Sequence, residues 1–180
     1  MGAAVNYGPG PRPWKGALWL KSIPIFSFRL YSMDMEKPRR VVLATDHAGY
    51  ALKEAIKKHL FQQGIDVIDE GTFSEEPVDY PAIMRRACAV VLEQGMPGVI
   101  FGGSGIGESI AANKVCGIRA ARCCSLEDAR LCRQHNDANV MSLGGRMVEP
   151  ELAVRMVDVF LTTDFEGGRH AARVRDIEPE

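Results

Sequence analysis

From Arg40 onward, short apolar or β-branched runs alternate with amphipathic segments, the pattern of repeated βα units that feed a mostly parallel sheet. Val41 to Ala44 reads as a buried first strand. Leu52, Ala55, Ile56, His59 and Leu60 then recur at helical spacing until Gly64 stops them. Ile65 to Ile68 is the second strand. Asp79 is placed to cap a helix with Pro81 in its first turn, and Ile83, Ala87, Val90 and Val91 carry that helix to Gly95. Val99 to Phe101 forms a third strand, entering a glycine loop and a short helix over Ser109 to Val115. Ile118 to Cys124 predicts a strand before a helix capped by Ser125, and Val140 to Leu143 the fifth strand. Leu152, Val154, Met156, Val157, Phe160 and Leu161 line a helix after Pro150, and an arginine-rich tail, Gly167 to Arg175, closes the pattern. The expected class is α/β with a five-stranded, mostly parallel sheet.

Ligands of such sheets bind where strand ends meet helix starts. That rule selects Asp46-His47, the loop Gly102 to Glu108, the Cys124-Ser125 turn, and Gly144-Gly145-Arg146.

Residues 1–33 depart from the pattern. They carry Arg12, Lys15, Lys21 and Arg29 with no acidic residue, and four prolines among aromatics. Their apolar stretch from Ala17 to Phe28 is interrupted by Lys21 and Pro24, so no membrane span is expected. The reading is an extension over 1–37, either disordered or a targeting leader of mitochondrial type, before a domain over 38–180 that ends in a C-terminal arm. From residue 34 the chain holds 18 basic and 23 acidic residues, a net charge of −5. This balance offers no electrostatic case for a nucleic-acid partner, and an anionic substrate must meet localised positive charge. The five cysteines include no C-x-x-C spacing and argue for reduced thiols in a cytoplasmic compartment, without a disulfide framework or a zinc site.

Four glycines between Gly102 and Gly107 allow backbone amides to converge on an anionic oxygen, either phosphate or a developing enediolate; a tight turn is the plainer reading. Glu108 enters the next helix, where it is a proton acceptor or a first-turn helix stabiliser. Asp46 and His47 form an acid–base pair, or Asp46 simply caps a helix. His135 lies near a helix end among polar neighbours. Arg146, with Arg169, His170, Arg173 and Arg175, supplies the positive charge the domain otherwise lacks, unless these are solvated surface residues.

Taken in order, the segments 44–49 (ATDHAG), 79–81 (DYP), 102–114 (GGSGIGESIAANK), 133–136 (RQHN) and 144–146 (GGR) resemble type B ribose-5-phosphate isomerase, a family that also includes galactose-6-phosphate isomerase subunits. The resemblance implies a Rossmann-like three-layer sandwich and an aldose–ketose isomerase that interconverts ribose 5-phosphate and ribulose 5-phosphate. It implies no metal or organic cofactor, and a homodimer or dimer of dimers whose active sites are shared between chains. By the same resemblance Asp46, His47 and His135 open the sugar ring. Ser104 and the amides of Gly103, Gly105 and Gly107 stabilise the enediolate. Tyr80 and Asn136 contact substrate, and Arg146, Arg169 and Arg173 hold phosphate. Many members begin the loop with a cysteine base; here that position is Gly102, and the resemblance is to a branch that uses glutamate, which assigns proton transfer to Glu108. A phosphorylated hexose as substrate, and a non-catalytic phosphosugar-binding protein, remain alternatives.

Overall fold

The computed structural model describes residues 38–177, so the extension expected over residues 1–37 lies outside the described residues. Five strands form one sheet in the order β2-β1-β3-β5-β4, and every pairing is parallel. The strands are β1 (Arg40–Thr45), β2 (Asp66–Asp69), β3 (Gly98–Gly102), β4 (Ala120–Arg122) and β5 (Val140–Gly144). The helices are α1 (Tyr50–Gln62), α2 (Tyr80–Gln94), α3 (Ile106–Ala112), α4 (Leu126–Asn136), α5 (Pro150–Thr162) and α6 (Arg169–Arg175).

Alternation along the strands sorts the core into two layers. Val41, Leu43, Val99, Phe101, Met141 and Leu143 face α1, α4 and α5, while Val42, Ala44, Ile100 and Val140 face α2 and α3. Both faces are thus covered, which is why the strands read as continuous apolar runs. The expected three-layer α/β sandwich is what forms. No helix among the described residues is long and apolar enough to cross a membrane.

Several local expectations change. The helix expected from Ser109 begins at Ile106, because Gly105 adopts a left-handed φ of 73° and its carbonyl already accepts the Ser109 amide. β4 is shorter than the span Ile118 to Cys124; it pairs only with β5, at the edge of the sheet. Asp79 occupies the N-cap position of α2, yet its side chain makes no capping bond. Ser125 does cap α4, accepting the Asp128 amide at 3.1 Å. The arginine-rich tail contains a helix, α6.

β1 is followed by a move to one side of the sheet and β3 by a move to the other, so a topological switch lies between them. Their carboxyl ends diverge into loops at that point, the place where open parallel sheets build ligand sites.

Candidate active site

Beyond the switch point lies a cleft of about 430 Å³ lined by Asp46, His47, Ala48, Tyr80, Gly103, Ser104, Gly107, Glu108, Arg146 and Met147. Three strand ends build it. After β1, Asp46 Oδ1 accepts the amides of Ala48 (2.9 Å) and Gly49 (3.2 Å), so the capping role is real. Its other oxygen remains for the cleft. His47 Nδ1 accepts the Val78 amide at 3.3 Å, so the neutral ring carries its proton on Nε2, where it donates rather than accepts.

After β3, the glycine loop is fastened to the neighbouring strand. The Gly145 amide donates to Gly102 O at 2.7 Å, the Arg146 amide to Gly103 O at 3.1 Å, and the Ser142 hydroxyl to Gly105 O at 2.7 Å. Arg122 Nε holds the Ser104 carbonyl at 2.8 Å. A Cβ on Gly105 would come within 2.9 Å of the Leu143 carbonyl carbon, so glycine is required there by space as well as by φ.

The loop's own amides are divided between two tasks. Ile106 N–H donates to Ser104 Oγ at 3.3 Å, and the amides of Gly105 and Glu108 stabilise the Glu108 carboxylate. No backbone acceptor among the described residues takes the amides of Gly103, Ser104 or Gly107. The Gly105 amide thus faces the Glu108 carboxylate.

Glu108 is only 4 % exposed. Burial raises its pKa from the ordinary value, the nearby Asp46 charge raises it further, and the two amides oppose without prevailing. Position 102 explains how the carboxylate reaches this spot. A Cβ built on Gly102 would overlap the Glu108 carboxyl group, so the glycine vacates the space the base fills. The Tyr80 hydroxyl packs on the loop at Gly107, where a Cβ would lie 2.7 Å away.

The remaining expected residues are not in this cleft. His135, near the end of α4, stacks on His170 of α6 with centroids 4.3 Å apart and 7° between planes. Glu166 Oε2 lies 3.8 Å from His135 Nε2 and 3.9 Å from His170 Nε2. Arg169 Nε donates to His170 Nε2 at 3.3 Å. Burial lowers the His170 pKa, and the neighbouring His135 and Arg169 add to the effect. For His170, grouped with the arginines as positive charge from sequence, these surroundings disfavour the charged form. Asn136 lines a separate cavity of about 590 Å³ with Asn113, Lys114 and Ile177. Arg169 and Arg173 sit on α6, and neither lines the cleft.

His135, Glu166 and His170 are also the one group among the described residues whose donor atoms converge enough to suggest a metal site, all within 4.8 Å. The geometry does not favour it. The rings are parallel, so their Nε2 lone pairs do not aim at one point, and Arg169 already occupies that of His170. Sequence reasoning passed over Met147 in the cleft, Glu166 beside His135, and the Ser142 and Arg122 anchors; only the last two had a signal, being polar positions in strands.

Comparison with known proteins agrees with this arrangement. The model of the Ribose/Galactose Isomerase family matches residues 41–177. The chain is 45% identical over 140 residues to ribose-5-phosphate isomerase B of Escherichia coli, covering 77% of this chain and 94% of that one. A ribose 5-phosphate isomerase structure from Thermotoga maritima superposes with a TM-score of 0.76 at 46% identity, over 77% of this chain and 97% of that one. A Mycoplasma genitalium ribose-5-phosphate isomerase B structure with bound ribulose-5-phosphate gives 0.73 at 37% identity, over 77% and 93%. The fold, the strand-end cleft and these matches together place the chain in the ribose/galactose isomerase family.

Proposed function

We propose that this chain interconverts ribose 5-phosphate and ribulose 5-phosphate through an enediolate. The observation that carries the reading is Glu108: a carboxylate buried beside Asp46, with its pKa raised, at the wall of a cleft of about 430 Å³. Such a group takes a proton more readily than an ordinary glutamate, and as a carboxylic acid it can still return that proton to carbon. Glu108 takes the C2 proton and returns it to C1. Ser104 and the amides of Gly103 and Gly107 offset the charge that develops on oxygen, and loss of one such donor costs about 100- to 1000-fold in turnover. Asp46 takes a hydroxyl proton as the ring opens, and His47 supplies one through Nε2–H. Arg146 holds phosphate.

One chain offers only half of what the family resemblance assigns. The cleft lacks His135, Asn136, Arg169 and Arg173, which occupy a second cluster on α4 and α6. A homodimer in which the partner's His135 completes ring opening, and the partner's Arg169 and Arg173 complete the phosphate grip, unites the two. Ile106 and Ile110 of α3 and Met147 are 50%, 56% and 64% exposed beside the cleft, an apolar surface suited to such an interface.

Hydrogen exchange in heavy water tests the reading. Ribose 5-phosphate incubated with the protein gains deuterium at the exchanging carbons; a protein that only binds phosphosugars exchanges nothing, and that result overturns it. A hexose phosphate run in parallel decides the sugar: faster exchange there reassigns the substrate while keeping the chemistry.

A further inference from the structure

Two cysteines lie against one another in the layer that carries α4. Cys123, immediately after β4, is 1% exposed; Cys132, on α4, is 6% exposed; their sulfurs are 3.9 Å apart. We propose that peroxide closes Cys123 and Cys132 into a reversible disulfide, and that the closure slows the isomerase by displacing α4.

The Cys123 thiol reaches both Ala121 O, at 3.6 Å, and the Cys132 sulfur. The Cys123 amide donates to Ser142 O at 3.0 Å, which fixes its backbone to β5, and its thiol donates to Cys132 Sγ. Cys132 Sγ lies 3.3 Å from Ala129 O, one turn back on the same helix. The hydrogen bond from Cys123 and the charge of Arg133 lower the Cys132 pKa against the opposing effect of burial, whereas Cys123 is pushed up by that hydrogen bond and by burial. Cys132, the more exposed of the two and the acceptor of the Cys123 thiol's hydrogen bond, is the nucleophile, and Cys123 the thiol that resolves it. Cys88 sits in the opposite layer, where burial pushes it up to about 11, and Cys124 is exposed.

The reaction balances with hydrogen peroxide as oxidant. Cys132 sulfur attacks one peroxide oxygen, the O–O bond breaks, and the departing hydroxide is protonated to water, leaving a sulfenic acid. Cys123 sulfur then attacks that sulfur, and the hydroxyl leaves with the Cys123 proton as a second water. Two thiols are oxidised by two electrons, and one peroxide is reduced.

A disulfide is about 2.05 Å long, so the sulfurs must approach by roughly 2 Å. β4 is fixed in the sheet, so α4 moves. His135 lies one turn beyond Cys132 on the same side of that helix, and its ring is seated on His170. Displacement of about 1 Å can cost on the order of 100-fold in a positioned reaction. Since Cys132 moves by part of the closure, the expected slowing is about tenfold.

The activity half of this inference rests on the proposed isomerase function; the crosslink does not. The test uses the full chain carrying Cys124→Ser, treated with hydrogen peroxide, alkylated and cleaved with trypsin. Cleavage after Arg122, Arg130 and Arg133 separates 123–130 from 131–133, so a linked pair reports Cys123–Cys132 alone. The expected result is that linked pair, a tenfold fall in isomerase activity restored by dithiothreitol, and no fall in Cys132→Ala. Cys123→Ala serves the same purpose if that variant does not fold. Absence of the linked peptides, linkage without slowing, or equal slowing in the cysteine variants would overturn the proposal. A reduced protein with no isomerase activity would instead count against the proposed function, while the peptides still report the bond.

Discussion

Asp69 and Glu108 are two carboxylates on either side of β1, both turned away from solvent, and their surroundings drive them in opposite directions. Asp69 ends β2. Burial raises its pKa, but hydrogen bonds from Lys53, Lys57 and the Gly71 amide outweigh that and hold it below the ordinary value. Lys53 is itself fully buried, 2.7 Å from Asp69, with Tyr50 and Phe73 rings around its ammonium. Among the described residues Glu108 instead pairs with no cation and faces a second acid, Asp46, so burial prevails and its pKa rises. A buried carboxylate facing opposite charge is a structural element; one facing like charge keeps a usable proton affinity.

The largest effect expected from breaking this contrast is on turnover. Glu108→Gln keeps the shape of the side chain and removes its basicity, so kcat should fall about 100- to 10,000-fold while the melting temperature stays close to wild type. An active Glu108→Gln enzyme removes the base assigned here.

Asp69→Ala should give the reverse outcome. It leaves the buried Lys53 with Glu54, 3.0 Å away and itself partly exposed, as its remaining acidic partner, and breaking a buried pair costs up to about 3–5 kcal/mol, measurable by urea unfolding, while folded molecules turn over near the wild-type rate. Replacing both partners with apolar residues, Lys53→Met with Asp69→Leu, should recover most of that loss. The sign of the pH dependence follows from the lowered pKa. The Asp69 contribution is present above the unfolded carboxylate value of about 3.9 and is lost as pH falls through the lower folded value, so the Asp69→Ala variant should lack that part of the wild-type acid dependence.

Gly102→Ala places a methyl where the Glu108 carboxyl lies. The carboxylate must shift, so kcat/KM should drop about 100-fold, with a smaller stability cost of about 1–3 kcal/mol. Combined with Glu108→Gln the loss should not add, because the displaced group no longer acts. Additive losses would mean that Gly102 serves some other part of the site.

Much of the fold and part of the site were legible in the chain, for physical reasons that also mark where legibility ends. Continuous apolar runs located the strands, apolar positions at helical spacing located α1, α2 and α5, and the Ser125 cap located α4. The start of α3 was not legible: glycines 102, 103, 105 and 107 carry no periodicity, and the helix begins where Gly105 turns left-handed. Nor was α6, which buries only His170 and so has no apolar stripe. Lys53 reads as a polar interruption of α1 until its partner sixteen residues away is seen. The strand-end rule picked out Asp46, His47, Ser104, Glu108 and Arg146 as neighbours. It could not show that His135, Asn136, Arg169 and Arg173 stand apart from them, since strand order and helix placement decide that. Gly102 appeared only as a position without a thiol; the structure adds that its missing side chain makes room for the base.

The smallest expected effect gives the most direct test, the acid limb of kcat/KM for ribose 5-phosphate, which reports the free enzyme's essential base. Glu108 must be ionised to accept a proton, and its raised pKa places that limb above the ordinary glutamate value of 4.5. Asp46→Asn removes the like charge, so whatever it does to the height of the profile, it should move the limb to lower pH. A wild-type limb at or below the ordinary value, or one that Asp46→Asn leaves in place, would contradict the account.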